Sequence, residues 1–307
     1  MKVVKLSKIW MDGQLLDWDD ANVHVLTHTL HYGVGVFEGI RSYRCSDGKS
    51  AIFKLEEHVK RLFESAHIAM IPVSYTEDQI ADAIIETLKA NNLREGYIRP
   101  LIYIGDGEMG LYVEDYPVRV SIAVWEWGAY LGEEGLKNGI RAKVSSFTRL
   151  NVNINMTKAK ICGNYVNSIL AKKEVKKNGY DEAIMLDSEG YVSEASGENI
   201  FIVKNNVIKT PPLTSILCGI TRNVVLTLAH DLGKTRIEER FTRDELYTAD
   251  EAFLTGTAAE ITPIREVDDR TIGNGKPGPI TKELQKRFFE TIKGENERYK
   301  NWLTYYM

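Results

Sequence analysis

Hydrophobic positions along this chain alternate between a helical and a strand-like spacing. Over residues 56–68 the apolar residues Val59, Leu62, Phe63 and Ala66 recur every three or four places, as one helix face requires. A second stripe, Ile80, Ala83, Ile84 and Leu88, follows Thr76 and Gln79, which stand at capping-box spacing before a helix. Residues 97–104 and 118–125 are short apolar runs and predict buried strands. Asp12-Gly13 and Asp47-Gly48 each separate two such short runs. Both predict hairpin turns, because glycine accepts the positive φ that tight hairpins need.

Residues 126–135 are rich in glycine and aromatics and lack periodicity, which predicts a connection between domains. Beyond it strands and helices mingle. The pattern predicts a strand over 140–146 and a helix over 164–177 that ends before Gly179. Strands follow at 183–186 and 199–203, around a turn at Ser188-Glu189-Gly190. A helix over 221–232 turns Val224, Val225, Leu228 and Ala229 inward. Thr242 and Glu245 form another capping box, and a last helix covers 280–293. The expected fold class is α/β (α+β mixed). A chain of 307 residues exceeds one typical core, so two domains are expected: 1–125, a connection at 126–137, and 138–307.

Composition narrows the function. Hydrophobic content of 43% and charged content of 27% are those of an ordinary globular chain, and a net charge of −4 argues against a nucleic-acid partner. Lys172, Lys173, Lys176 and Lys177 are interrupted by Glu174 on a predicted helix, which reads as a solvated face. Cys45, Cys162 and Cys218 are few, odd in number and far apart. That argues against a disulfide scaffold or a zinc site and fits a reducing cytoplasm. The N-terminus, residues 1–8, has charge but no apolar signal core, and no apolar run approaches membrane-spanning length.

Several familiar motifs fail on context. The GxGxxG run at 105–110 has no helix after it and carries Asp106 and Glu108, which would repel a pyrophosphate. The run at 273–278 contains Pro277 and has no strand–turn–helix frame. Neither is expected to bind a dinucleotide. His24, His28 and His31 have the spacing of a helical metal comb, but no carboxylate completes a ligand set, and structural roles are expected. Nothing places Glu38 beside Glu194 as a hydrolytic carboxylate pair, and no GxSxG elbow is present.

Another set is coherent. Lys160 lies in Thr157-Lys158-Ala159-Lys160-Ile161-Cys162-Gly163-Asn164-Tyr165, beside small and apolar residues that leave room for a ring. Its competitor Lys158 is expected to be a surface lysine. Glu194 or Glu198, in the run 193–199, can hold a pyridine nitrogen protonated. Gly219-Ile220-Thr221 stands where a helix begins, as a phosphate prefers. A Schiff-base amine, a carboxylate for a ring nitrogen and a phosphate turn together suit pyridoxal 5′-phosphate (PLP).

With His31-Tyr32-Gly33, Val36-Phe37-Glu38-Gly39-Ile40-Arg41, residues 58–62, Tyr97-Ile98-Arg99-Pro100, residues 127–132, Gly219-Ile220-Thr221-Arg222 and Gly256-Thr257-Ala258-Ala259-Glu260-Ile261-Thr262-Pro263, the chain resembles the class IV, fold-type IV PLP aminotransferases. Within them it is similar to the branched-chain amino acid aminotransferases, from Trp10 to about Trp302. The resemblance implies a small N-terminal α/β domain, a larger C-terminal domain and PLP at their interface. It implies transfer of an amino group between Leu, Ile or Val and 2-oxoglutarate, by way of the cofactor, in branched-chain amino acid biosynthesis.

Carried over residue by residue, the resemblance makes Lys160 the Schiff-base lysine and the acid/base. Tyr165 holds the cofactor's 3′-oxygen, Glu194 pairs with the ring nitrogen, and Glu198 is left structural. Arg61, the amides of Ile220 and Thr221 and the hydroxyl of Thr257 take the phosphate, while Leu217 packs on the ring. The turn Thr257-Ala258-Ala259, with Tyr97, receives the substrate α-carboxylate. Phe37, Tyr32, Trp127 and Tyr130 line the side-chain pocket, and Met109 and Leu111 come from a neighbouring subunit. Arg99 and the hydroxyls of Tyr32 and Tyr130 receive the glutamate γ-carboxylate. A charge-assisted contact there contributes about 1.5–3 kcal/mol, close to the value of burying a leucine side chain, so one site can serve both substrates.

Partners implied are amino acids, 2-oxo acids and further copies of the chain, at least a dimer and up to a hexamer. No metal is implied. The alternative within the fold is a D-amino acid or (R)-amine transaminase, or an aminodeoxychorismate lyase. The chain departs from the family at Val34-Gly35, at Cys162 and over residues 149–156. These departures are expected to alter substrate breadth or loop mobility and to leave the catalytic groups untouched.

Overall fold

The computed structural model describes residues 3–128 and 130–307; Met1 and Lys2 of the N-terminal stretch and Ala129 of the 127–132 motif lie outside them. The chain forms two compact units. The first takes in residues 1–128, 159–164 and 291–307, the second residues 129–158 and 165–290. Segments 159–164 and 291–307 thus join the N-terminal unit, although both fall within the 138–307 span expected of the second domain.

In the first unit eight strands form an antiparallel sheet. Its order is Leu303–Tyr305, Ser50–Phe53, Ile40–Arg44, Gly96–Ile104, Val118–Trp125, Lys8–Met11, Gln14–Asp17, with Gly35–Phe37 also paired to Gly96–Ile104. The Asp12-Gly13 hairpin forms as predicted, Met11 opposite Gln14, with φ of 49° and 92° at its two central residues. The Asp47-Gly48 hairpin is wider: the last pair is Arg44 with Ser50, and only Gly48 has positive φ. Helices Leu55–Ile68 and Glu77–Ala90 lie close to their predicted bounds, the second opened by the Thr76–Gln79 capping box. Their apolar stripes, Val59, Leu62 and Ala66 with Ile80, Ile84 and Leu88, pack with Ile98, Ile102, Val120, Ile122 and Val124 of the sheet.

The second unit carries a nine-stranded mixed sheet. Its order is Val192–Ala195, Glu182–Leu186, Ile140–Val144, Glu260–Val267, Glu251–Gly256, Asn199–Lys204, Val207–Thr210, Thr235–Glu238, with Arg270–Thr271 on Glu260–Val267. Two parallel neighbours are joined by helices: Tyr165–Lys177 between Ile140–Val144 and Glu182–Leu186, and Ile220–Asp231 between Val207–Thr210 and Thr235–Glu238. Parallel pairing demands such crossovers.

The strand Val192–Ala195 was not expected. The turn at 188–190 leads into it, and it pairs with Glu182–Leu186, so the 183–186 and 199–203 runs are not a hairpin. The run at 105–110 leads straight to Val118–Trp125, as its context indicates. The run at 273–278 lies between the short strand Arg270–Thr271 and the predicted last helix, Pro279–Ile292, so it does have a strand–turn–helix frame that was not expected. That helix start holds no anion site: the amides of Ile280 and Thr281 and the Thr281 hydroxyl donate to the buried Glu251 carboxylate, at 3.0, 2.7 and 2.6 Å. Among the described residues, no helix is long and apolar enough to cross a membrane.

Candidate functional site

In the first unit Lys160 is fixed by its backbone. Its N–H donates to Ser65 Oγ at 3.1 Å, its carbonyl accepts from the Phe37 amide at 3.1 Å, and Ile161 forms a bridge to Val36. Residues 159–164 therefore lie along the strand Gly35–Phe37, although they are far in sequence from the unit's other segments. The Lys160 ammonium stands 4.7 Å from the centre of the Phe37 ring.

Around Phe37 the aromatic residues converge. Tyr97 meets Trp127 edge-on at 4.2 Å and Trp125 at 5.2 Å. Arg41 holds Trp127 in place by donating to its carbonyl at 3.0 Å. The Arg99 guanidinium lies 4.6 Å from Phe37, 5.4 Å from Tyr97 and 5.7 Å from Trp125, and its buried Nε has no hydrogen-bond partner among the described residues. A Cβ at Gly39 would stand 1.8 Å from the Tyr97 hydroxyl oxygen, so only glycine lets that hydroxyl approach.

Arg61 lies on helix Leu55–Ile68, and Glu38 fixes its guanidinium in a fork. Arg61 Nε donates to Glu38 Oε1 at 2.7 Å and Nη2 to Oε2 at 2.9 Å, while His58 Nδ1 is 2.7 Å from Oε2. Glu38 is fully buried. Burial alone would raise its carboxyl, but Arg61 and His58 outweigh that and hold it well below the usual carboxylate range. Burial, assisted by Arg61 and Lys160, pushes His58 down, so its ring is neutral and Nδ1 carries the proton toward Glu38.

In the second unit Glu194 lies on the strand Val192–Ala195 and is held on both oxygens. Arg149 Nε donates to Oε1 at 2.6 Å. Asn199 Nδ2 and the Leu217 amide donate to Oε2, each at 3.2 Å. Asn199 Nδ2 also donates to the Leu217 carbonyl at 3.1 Å. A Cβ at Gly219 would come within 1.9 Å of Asn199 Oδ1, so this crossing too requires glycine.

Glu198, four residues on, is a different kind of acid. Burial and the neighbouring carboxylates push its carboxyl up to about 8, against Lys172 and the Gly197 amide. It is protonated at neutral pH, whereas Glu194 has a guanidinium as its partner.

Gly219 precedes the helix Ile220–Asp231, whose first residues Ile220 and Thr221 are buried. First-turn amides have no acceptor within a helix. Thr257, Ala258 and Ala259 form the turn between strands Glu251–Gly256 and Glu260–Val267, and Thr262 Oγ1 ties the Ala259 carbonyl at 2.7 Å. Tyr165 opens the helix Tyr165–Lys177, and Lys172 lies 5.4 Å from the half-exposed Tyr130 ring. The Tyr32 ring lies tilted against His28, centroids 4.5 Å apart, and Met109 and Leu111 are exposed on the loop after Gly96–Ile104.

Two expectations need correction. Lys158 is not a surface lysine: it is half-buried, and its ammonium binds the carbonyls of Leu213 and Ile216, the latter at 2.7 Å. It thereby fastens the loop that ends in Leu217, and burial lowers its pKa. The departure at 149–156 does touch a proposed catalytic group, because Arg149 binds Glu194. The histidines do not share one helix face, because the helix is only His28–Tyr32. His28 and His31 meet the carbonyls of Gly110 and Val25 at 2.8 and 2.9 Å, and His24 accepts from the Leu26 amide.

The profile of the amino-transferase class IV family matches residues 35–267, and the chain belongs to that family. It is 55% identical to the branched-chain-amino-acid aminotransferase of Pseudomonas aeruginosa over 296 residues, 96% of each chain. Among solved structures it is similar to the branched-chain amino acid aminotransferase of Escherichia coli (TM-score 0.95, 47% identity, 97% of this chain and 99% of that one). It is also similar to the branched-chain amino acid aminotransferase of Thermobaculum terrenum in its PLP form (TM-score 0.93, 37% identity, 99% of each chain).

Proposed function

We infer that the protein is a PLP-dependent branched-chain amino acid aminotransferase, exchanging amino groups between L-leucine, L-isoleucine or L-valine and 2-oxoglutarate. The observation that carries this reading is the near end-to-end likeness to enzymes of that activity, at 55% identity over 96% of the chain in the Pseudomonas aeruginosa case. The donor set suits the cofactor: a lysine with a pinned backbone, a carboxylate held by a guanidinium, a helix start and a forked arginine. When bound, PLP supplies an electron sink for the carbon that loses its proton.

Lys160 is the amine that holds the cofactor and then moves the substrate's α-proton at Nζ. Glu194 keeps the ring nitrogen protonated, and Glu198, already neutral, cannot substitute for it. Tyr165 binds the 3′-oxygen and Leu217 packs on the ring. Arg61, the Ile220 and Thr221 amides and Thr257 take the phosphate, with Glu38 and His58 fixing the arginine's direction. The Thr257-Ala258-Ala259 turn and Tyr97 bind the α-carboxylate. Phe37, Tyr32, Trp127 and Tyr130 take the aliphatic side chain. Arg99, set among aromatic rings with a buried donor unmet, receives a γ-carboxylate with the Tyr32 and Tyr130 hydroxyls. Met109 and Leu111, exposed here, close a neighbouring copy's site in an assembly that is at least dimeric. Three free thiols suit a reducing cytoplasm.

The test is Lys160→Ala. The wild type is expected to absorb in the visible when PLP is bound. The variant loses that band and loses turnover of L-leucine with 2-oxoglutarate by roughly 10⁴-fold. Full turnover in the variant would overturn the reading. Half-reactions with L-leucine, D-alanine and (R)-1-phenylethylamine, each read from the cofactor band, test the stereochemical side.

A further inference from the structure

We propose that Arg149 is a positioning residue for the reaction: it orients Glu194, keeps it charged, and offsets part of the charge that the ring nitrogen meets. The proposal rests on the functional reading above, in which Glu194 is the ring-nitrogen partner.

The segment that delivers Arg149 is braced at successive positions. The Ser145 hydroxyl and Ser146 amide donate to Glu174 on the helix Tyr165–Lys177, and the Phe147 amide donates to Ser145 Oγ at 3.1 Å. The Thr148 carbonyl accepts from Asn167 Nδ2 at 3.0 Å, and the Arg149 amide donates to the Leu186 carbonyl at 2.7 Å. Beyond Arg149 the chain turns outward, with Val152, Ile154 and Met156 exposed. Arg149 therefore belongs to the fixed root of this loop, while its tip faces solvent.

The side chains of Arg149 and Glu194 are 12% and 6% exposed, so water screens their pairing little. The 2.6 Å contact from Nε stops rotation of the carboxylate about its last bond, and Asn199 with the Leu217 amide completes the restraint. A carboxylate has about four acceptor positions. Three are filled here, which leaves one for the N–H of a ring. An unpaired buried carboxylate would tend to take up a proton itself and would then no longer favour a protonated ring nitrogen. Asn199 and the Leu217 amide are neutral donors and can orient Glu194; of the three groups hydrogen-bonded to it, Arg149 is the one that brings a compensating charge. Its buried Nη1 has no hydrogen-bond partner among the described residues, so Glu194 is the side-chain group that this guanidinium serves.

The experiment is a double-mutant cycle of Arg149→Met with Glu194→Gln on the full-length protein, with Arg149→Lys as the conservative control. It reads PLP half-saturation, the pH titration of the bound cofactor's visible band, and the L-leucine half-reaction rate. In the wild-type background Arg149→Met is expected to weaken PLP binding and slow the half-reaction by about 10- to 100-fold, and to shift the band's titration. Arg149→Lys restores part of each loss. In the Glu194→Gln background Arg149→Met changes each by no more than about twofold, because its target is gone. Wild-type behaviour of Arg149→Met would overturn the proposal. So would effects of the two substitutions that multiply independently, which mark a role in folding alone. If Arg149→Met does not fold, Arg149→Lys completes the same cycle, and its independence of Glu194 overturns the proposal equally. A wild-type protein that takes up no PLP defeats the functional reading itself, a result distinct from either outcome.

Discussion

Each unit of this protein contains a buried arginine–carboxylate pair, and the two are built for opposite ends. Glu38 accepts from Arg61 twice, from His58 and from the Gly39 amide, four donors of which three converge on Oε2. Glu194 accepts from Arg149, Asn199 and the Leu217 amide, and one position remains. A wholly buried carboxylate with four donors is suited to holding its neighbours, which fits the phosphate role proposed for Arg61. One with three donors is suited to receiving a ligand, which fits the role proposed for Glu194. The same two residue types thus exchange roles, and the number of donors around the carboxylate decides which.

The sharpest way to break this comparison is to neutralise both acids. Glu38→Gln is expected to cost about 3–5 kcal/mol of stability, because it leaves a guanidinium buried without its charge partner. Glu194→Gln also leaves a buried guanidinium, Arg149, without its charge partner and is expected to cost stability of the same order, while slowing the half-reaction by roughly 10²-fold or more. Urea denaturation and single-turnover kinetics on both variants check this. A half-reaction slowed equally by both substitutions, once stability is matched, would end the distinction. The pH dependence has a definite sign. The folded protein holds Glu38 below the ordinary carboxylate range, so its contribution is complete above about pH 4.3 and is lost as the pH falls further into acid.

Glu198 sharpens the contrast, with a smaller effect. Its carboxyl is pushed up to about 8 by burial and by Glu182, with Lys172 and the Gly197 amide opposing and Glu194 adding to the rise. Folding therefore favours its protonated form. The stability this contributes is complete below about pH 4.3, the unfolded value, and is lost as the pH rises through about 8. Glu198→Gln mimics the protonated acid and can still accept from the Gly197 amide. Its melting temperature is expected to gain on the wild type from pH 5 to about pH 8 and to level off above that. A difference that stays flat across that range would contradict the assignment of Glu198 as the neutral acid.

The smallest effect concerns the two capping boxes, one in each unit. Thr76→Ala removes an acceptor for the Gln79 amide at 3.2 Å and is expected to cost about 1 kcal/mol in equilibrium unfolding. In the second unit the Thr242 amide donates to Glu245 at 3.0 Å. Glu245→Ala is expected to fall in the same range or below, because that carboxylate is substantially exposed. A loss of several kcal/mol at either position would mean that the box carries tertiary contacts as well.

Local structure was legible wherever a residue's partners lie nearby in sequence. Stripes at helical spacing marked Leu55–Ile68 and Glu77–Ala90, and Asp12-Gly13 marked its hairpin. The strand Val192–Ala195 was not legible: it has four residues, one charged, and its burial comes from tertiary neighbours, since only Val192 and Ala195 are apolar. Lys158 was misread for the same reason. A lysine's sequence context does not reveal that two carbonyls fifty-five and fifty-eight residues away will bind its ammonium.

The sequence by itself determined the mixed α/β fold class and the family, and pointed to the types of group proposed to serve the cofactor. Those properties follow from periodicity and from the chemical identity of side chains within short motifs. Tertiary structure alone decided that Glu198 is held neutral, that Arg149 belongs with Glu194, and that Glu38 holds Arg61. Each of these depends on burial and on distances of a few ångströms between residues that lie far apart in sequence or on different elements. Coulombic and desolvation energies depend on that separation and on exclusion of water, neither of which a linear pattern records.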